Sequence, residues 1–528
     1  MARNLARHIQ KSVRKYALTA LLAGVSCTSY AGKQNDTLVY ASDSEVENVS
    51  PYHNNMREGV ILAHLAWDTL IYRDPKTGEY KGELATDWQW ESPTALLLHL
   101  RKGVTFHNGD AFSADDVVYT FDNIAGPNTA SVIPQSVDWI DKVEKVDDYT
   151  VRLHLKKPFP AALEYLSGPT PIYPAHYFQQ VKLEGFSKAP VGTGPYKIVK
   201  VMPGQGVMMV KNPDYFKDSP IGQPKIGKIQ FVVIRDPEAR VAQLMTGQVD
   251  WIWRVASDQV DSLSAMPNIA VKSGETMRVG FLALNTNATG PEGVPFKDLR
   301  VRQAINYAIN RQAMVDNLVR GGSKPEAMVD NLVRGGSKPV YSACFRTQTA
   351  CDTSQVIQYP YDPAKAKQLL AQAGYANGFD TDLWAYRERD YAEAIIGDLR
   401  KVGIRARLHF VQYPVMASAL ASGQAPLAFS TWGSFSINDA TAFVTPYFGG
   451  KGSDIWKDPA VMAELAQADT VIDPQQRRAQ YAALLGHISA QAYMAPLFSY
   501  STHYAFTADL NFQDWPDELP RFAEASWK

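Results

Sequence analysis

The stretch LHLRKGVTFHNGDAFSADDVVYTFD, Leu98 to Asp122, decides the reading of this sequence. It begins inside an apolar run, Leu96 to Leu100, whose length and composition suit a strand. Phe106-His107-Asn108-Gly109-Asp110 then supplies a tight turn, because Asn and Gly tolerate left-handed backbone. Ser113 follows as a helix cap, and Asp116 three residues on completes a capping-box pattern before Val117, Val118 and Phe121. Strand, turn and helix thus follow one another without a gap.

The same grammar extends outward. In DPAKAKQLLAQAGY, Asp362 caps, Pro363 takes the first helical position, Leu369 and Leu370 face inward, and Gly374 ends the helix. In FKDLRVRQAINYAI, Val301, Ile305, Ala308 and Ile309 form a one-sided apolar stripe. Thr37 to Ala41, Thr150 to Leu155 and Ile229 to Ile234 read as further strands. Helices and strands interleave, so the expected class is α/β with mixed sheets. One repeat is identical in both copies: AMVDNLVRGGSKP occupies Ala313 to Pro325 and again Ala327 to Pro339. Two short copies cannot stack into a solenoid. A local duplication is expected to bulge from the surface, and deletion of Glu326 to Pro339 to leave the fold intact.

Across 528 residues the chain balances 53 basic against 54 acidic side chains, which leaves no basic excess for nucleic acid. Hydrophobic content of 45% supports more than one core. The first 31 residues differ from the rest. Arg3, Arg7, Lys11, Arg14 and Lys15 precede the apolar run Tyr16 to Ser26, with small residues before a cleavage site after Ala31. This reads as a secretory signal peptide, 1–31, and hence a periplasmic protein. Lipid anchoring at Cys27 is the alternative, opposed by Gly24 where a lipobox has Leu. The two remaining cysteines, Cys344 and Cys351, are expected to form a local disulfide in an exported chain, with two buried thiols as the alternative.

Catalytic patterns are absent from the sequence. The ten histidines include no pair at helical zinc spacing, and no G-x-S-x-G elbow occurs. Gly449 to Ser453 lacks phosphate-loop spacing, and Pro195 spoils Gly192-Thr193-Gly194 as a dinucleotide loop. We expect no catalytic residue, no metal and no cofactor.

Leu98 to Asp122 resembles the signature region of family 5 extracytoplasmic solute-binding proteins, the peptide- and nickel-type receptors of ABC importers. The resemblance continues in family order. GTGPYKIVK (Gly192 to Lys200), NPDYF (Asn212 to Phe216), EARVAQLMTGQVDWI (Glu238 to Ile252) and FLALNTN (Phe281 to Asn287) come first. Then follow PFKDLRVRQAINYAINRQAMV, YDPAKAKQLLAQAGY and LRKVGIRARL, ending at Leu408. It implies a two-lobed periplasmic-binding-protein fold with a hinge between lobes and an extra subdomain inserted in the first. Lobe I would comprise 32–74, 190–290 and 495–528, its inserted subdomain 75–189, and lobe II 291–494. The implied function is capture of a small solute, peptide first, for an inner-membrane ABC permease with cytoplasmic ATPase subunits. A sugar, an opine-like compound or a metal chelate is the alternative, and a secreted hydrolase a more distant one. The receptor is expected to act as a monomer.

Candidate ligand residues also follow from the resemblance. Tyr52, His53 and Asn54 lie where the family's first loop approaches ligand. Many peptide-binding members carry a Trp followed three residues later by an Asp that receives the peptide's ammonium. Here Trp432 keeps the Trp, but Phe435 stands at the Asp position, and Asn438 and Asp439 are the nearby substitutes. Trp251 and Trp253 share one face of a strand, so Trp253 is a candidate for stacking or for the core. Arg254, Arg387 and Arg389 are candidates for an anionic group or for solvation.

Overall fold

Local signals form the elements the sequence announces. In the computed structural model, which describes residues 32–46, 48–54, 56–126, 128–319 and 336–528, Ser113 and Asp116 make the capping box of helix Ala114–Tyr119. Asp362 accepts from the Lys365 N–H at 2.8 Å to start helix Pro363–Gln372. Helix Leu299–Ala308 buries Val301, Ile305 and Ala308. The expected signal peptide and most of the duplicated stretch lie outside the described residues. Lys338, near the end of the second copy, does fall within them, and its N–H donates to Ser499 Oγ at 3.0 Å.

The turn at Phe106–Asp110 is tied to the glycine turn Gly192–Gly194 by one imidazole. His107 Nε2 donates to the Gly194 carbonyl at 2.9 Å, while Nδ1 accepts from the Gly192 N–H at 3.3 Å. Burial lowers this histidine's pKa to about 4, so it works as a neutral staple. Both glycines press on Ala66. A Cβ at Gly192 would sit 1.9 Å from the Ala66 carbonyl oxygen, and one at Gly194 would sit 2.5 Å from the Ala66 carbonyl carbon.

One ten-stranded mixed sheet runs through both lobes. From one edge its order is Ile404–Phe410, Phe379–Ala385 and Leu427–Trp432, then the long strands Ile269–Leu284 and Met494–Thr507. It continues through Trp251–Trp253, Thr37–Ser42, Lys228–Val233, Gly206–Lys211 and Tyr196–Met202. The two long strands pair antiparallel and serve both lobes, so they are the crossing strands. Their register breaks between Glu275 and Val279. A bulge at this point bends the strands and redirects the side chains on it.

A separate four-stranded antiparallel sheet is built from Ala85–Ser92, Ala95–Leu100, Thr150–Leu155 and Ile140–Asp147. Its apolar face packs with Phe106, Phe112 and Tyr173 into a core of its own. Tyr40, Trp251, Phe512 and Phe522 make another core under the N-terminal half of the large sheet. Leu282, Ile305, Leu383 and Phe498 make a third under the other half, and Cys344 and Cys351, joined by a disulfide, lie in a neighbouring cluster. Among the described residues no helix is long and apolar enough to cross a membrane.

Candidate ligand-binding site

A cavity of about 1050 Å³ opens between these bodies. At ≈30 Å³ per water this is room for roughly 35 waters, ample for a solute larger than a single amino acid. Arg57 and Trp515 come from the body around Tyr40 and Trp251, Trp139 and Phe159 from the small-sheet body, and Trp432 and Phe435 from the other lobe. Trp139 and Phe159 stack with centroids 4.9 Å apart, giving the wall a flat apolar panel.

Trp432 and Phe435 stand together on this wall, ring centroids 4.7 Å apart and edge to face. Trp432 is fixed by its Nε1–H, which donates to the Ala442 carbonyl at 2.8 Å. Phe435 is 44% exposed. Ser434, Phe435 and Ser436 all hold left-handed backbone, with φ of 53°, 50° and 65°. Each L-residue there costs about 1–2 kcal/mol, so surrounding bonds must hold the turn. They do: Ser436 Oγ donates to the Asp517 carbonyl at 2.6 Å and accepts from Arg57. These bonds also join the lobes across the cavity. A second such link runs from the Asn438 N–H to Glu164 Oε1, 2.6 Å. Glu164 is held in turn by Arg73 at 3.2 Å and by the Tyr80 hydroxyl at 2.8 Å.

Of the sequence-derived candidates, Asn54, Trp432, Phe435 and Asn438 line the cavity. Tyr52, His53, Trp253 and Asp439 do not. Tyr52 is buried in the core, its hydroxyl donating to the Pro171 carbonyl at 2.8 Å. His53 is turned to Ser50 Oγ, 2.8 Å away, and burial lowers its pKa. Trp253 is packed in the sheet core with its Nε1–H on Ser42 Oγ. Asp439 is claimed by Arg477 through bonds of 2.7 and 2.8 Å. Proximity in sequence to Trp432 therefore misplaced it as a substitute for the ammonium site. Asn54 lines the cavity but is occupied, Nδ2 donating to the Asn48 carbonyl and Oδ1 accepting from the Met56 N–H. Arg254 lines the wall and lies 4.2 Å over the Trp253 ring. Arg387 and Arg389 pair with Glu388 and Glu393 instead.

Sequence reasoning missed the strongest charges. Arg57 and Arg278 both bond Glu518, at 3.1 and 3.2 Å. Burial alone would raise the Glu518 carboxyl; Arg278, Arg57 and Arg254 outweigh it and hold its pKa at about 2. Arg521 and Asp517 pair beside them at 2.6 Å. Nine Lys and Arg but only six Asp and Glu line the cavity, a positive bias that the balanced whole chain conceals.

Comparison with known proteins agrees with this architecture. Residues 79–454 match the family model described as bacterial extracellular solute-binding proteins, family 5, middle. The chain is 28% identical over 535 residues to the glutathione-binding protein GsiB of Pectobacterium atrosepticum, covering 97% of this chain and 98% of that protein. It is 28% identical over 481 residues to heme-binding protein A of Haemophilus influenzae, covering 82% of each. The fold superposes with a TM-score of 0.77 on a dipeptide-binding protein from Pseudoalteromonas sp. SM9913 in complex with Met-Leu. That pair is 25% identical, over 93% of this chain and 100% of the other. The two-lobed fold, the crossing strands and the matched residues converge, and the chain belongs to the family 5 bacterial extracellular solute-binding proteins.

Proposed function

We propose that this chain is the periplasmic solute-capturing component of an ABC importer, closing its lobes on a small solute, peptide foremost, and delivering it to an inner-membrane permease with cytoplasmic ATPase subunits. The observation that carries the reading is the cavity of about 1050 Å³, walled by both lobes and the small-sheet body, in a family 5 fold. Its boundaries would be 32–74, 190–290 and 495–528 for lobe I, 75–189 for the inserted subdomain and 291–494 for lobe II. Export would rest on the signal peptide 1–31. Trp432, Phe435 and Asn438 would touch the ligand. Closure draws on the differential affinity of ligand for the closed state. A free peptide's carboxylate suits the basic wall, and relatives named for glutathione and a dipeptide complex support this class.

A non-peptide ligand is the second reading, favoured by one observation. Phe435 replaces the ammonium-binding Asp, and the nearby Asp439 is taken by Arg477. The receptor needs no catalytic group. Incubating the monomeric protein with glutathione or Met-Leu and weighing protein and solute tests this. Saturable one-to-one retention of unaltered solute is expected; conversion of solute to product would contradict the receptor assignment.

A further inference from the structure

The bulge in the crossing strand aims Arg278 at the cavity. Thr276 Oγ1 accepts from the Arg278 N–H at 3.3 Å, and the Met277 N–H donates to the Pro516 carbonyl at 2.8 Å. The pairing break between Glu275 and Val279 is thereby pinned to the segment that carries Glu518. The guanidinium is given space by Gly433, where a Cβ would stand 3.0 Å from the Arg278 Nη2. Arg57 reaches the same carboxylate oxygen, Oε2, from helix Arg57–Ala66.

Two arginines therefore share one carboxylate, leaving one positive charge in excess at the wall. A guanidinium offers five N–H donors. Arg278 uses two of them on Thr431 Oγ1 and Glu518. Neither guanidinium is sealed off, since the Arg57 and Arg278 side chains keep 12% and 21% of their surface. The Nε1–H of Trp515, three residues before Glu518, has no acceptor among the described residues. The guanidinium N–H groups left over and the Trp515 Nε1–H are donors. An ammonium there would meet net positive charge, whereas a carboxylate would take bidentate, charge-assisted bonds.

We infer that the Arg57–Arg278 pair seats a carboxylate of the ligand, so that the solutes this receptor takes are carboxylic acids with an apolar or planar body to lie against Trp432 and Phe435. The inference rests on the solute-receptor reading and adds the substrate class and the subsite. It accounts for the positive bias of the cavity without requiring an ammonium site.

Matched acid and ester pairs test it: glutathione against its diethyl ester, and heme against its dimethyl ester, each titrated into the unaltered protein by tryptophan fluorescence. The expected result is that at least one acid binds and its ester binds ten-fold or more weakly. Arg278→Met should weaken that acid by a similar factor, and Gly433→Ala, which presses on the guanidinium, should weaken it less. An ester that binds as tightly as its acid overturns the inference, without any variant having to fold. Failure of both acids to bind overturns it too. If native mass spectrometry then finds a neutral or cationic solute in the protein, the receptor reading stands and only the carboxylate seat is lost.

Discussion

Asp439 and Arg477 form a two-bonded ion pair, 2.7 and 2.8 Å, with side chains only 3% and 4% exposed. The aspartate's Oδ1 also accepts from the Thr441 N–H at 2.9 Å, which starts the helix after the Trp432 turn. Breaking such a pair by removing one partner leaves a buried unpaired charge, at a cost of about 3–5 kcal/mol. Asp439→Asn is therefore expected to lower the melting temperature sharply. The Kd for a bound solute, measured where the variant is still folded, should change less than about threefold. A selective loss of binding with unchanged stability would return Asp439 to the ligand site.

Trp432→Ala should do the reverse. Its ring lies on the cavity wall against Phe435, and its one hydrogen bond goes to the Ala442 carbonyl. Losing an aromatic anchor of this kind costs about 2 kcal/mol or more of binding. Affinity is expected to fall at least tenfold while the melting temperature, read by circular dichroism, moves by a few degrees.

Ser434→Gly should stabilise the protein. Ser434 holds φ 53°, and its buried Oγ finds no partner among the described residues. Glycine removes both penalties, and against its extra unfolded-state entropy a net gain of about 1 kcal/mol is expected from denaturant unfolding. A loss of stability would mean that the left-handed run is favoured by its side chains.

Burial raises the pKa of several carboxyls. Asp250, whose Oδ2 accepts from the Val39 N–H at 2.8 Å, rises from 3.8 to about 7, and Asp116 to about 6. Asp68 and Glu83, buried side by side, are both raised as well. At these carboxyls the folded state binds more protons than the unfolded one, so their contribution is full below pH 4 and is lost as pH rises through 6 and 7. Glu518, held at about 2, works oppositely and only under acid conditions. His107 and His64, kept neutral by burial with pKa values of about 4, work the other way up to about pH 6.5, so melting temperature should decline between pH 6.5 and pH 8, and Asp250→Asn should flatten that decline.

Much of the fold was legible because its signals are local. Ser113 with Asp116, and Asp362 with Pro363, announce helices within four residues, and the turn at Asn108-Gly109 announces itself. The site obeys no such rule. Arg57 and Glu518 meet across 461 positions, and Arg278 points into the cavity only because a bulge turns it there. Trp253 carried the residue type of a ligand contact, yet strand pairing with Tyr504 and its Nε1–H bond to Ser42 Oγ placed it in the core. Asp439 was close in sequence to the right segment, but its buried partner lies 38 residues on, where no motif marks it. The Trp432–Phe435 turn was found through family resemblance; composition and spacing alone would have passed over it.

Native mass spectrometry of the exported protein, followed by identification of what denaturation releases, tests the central claim most directly. A defined one-to-one adduct is expected, a single carboxylated solute or a ladder of short peptides, absent from the Trp432→Ala variant. A protein that leaves the cell empty, and that no solute from a spent-medium extract then stabilises or joins at one-to-one stoichiometry, would contradict a receptor built around this cavity.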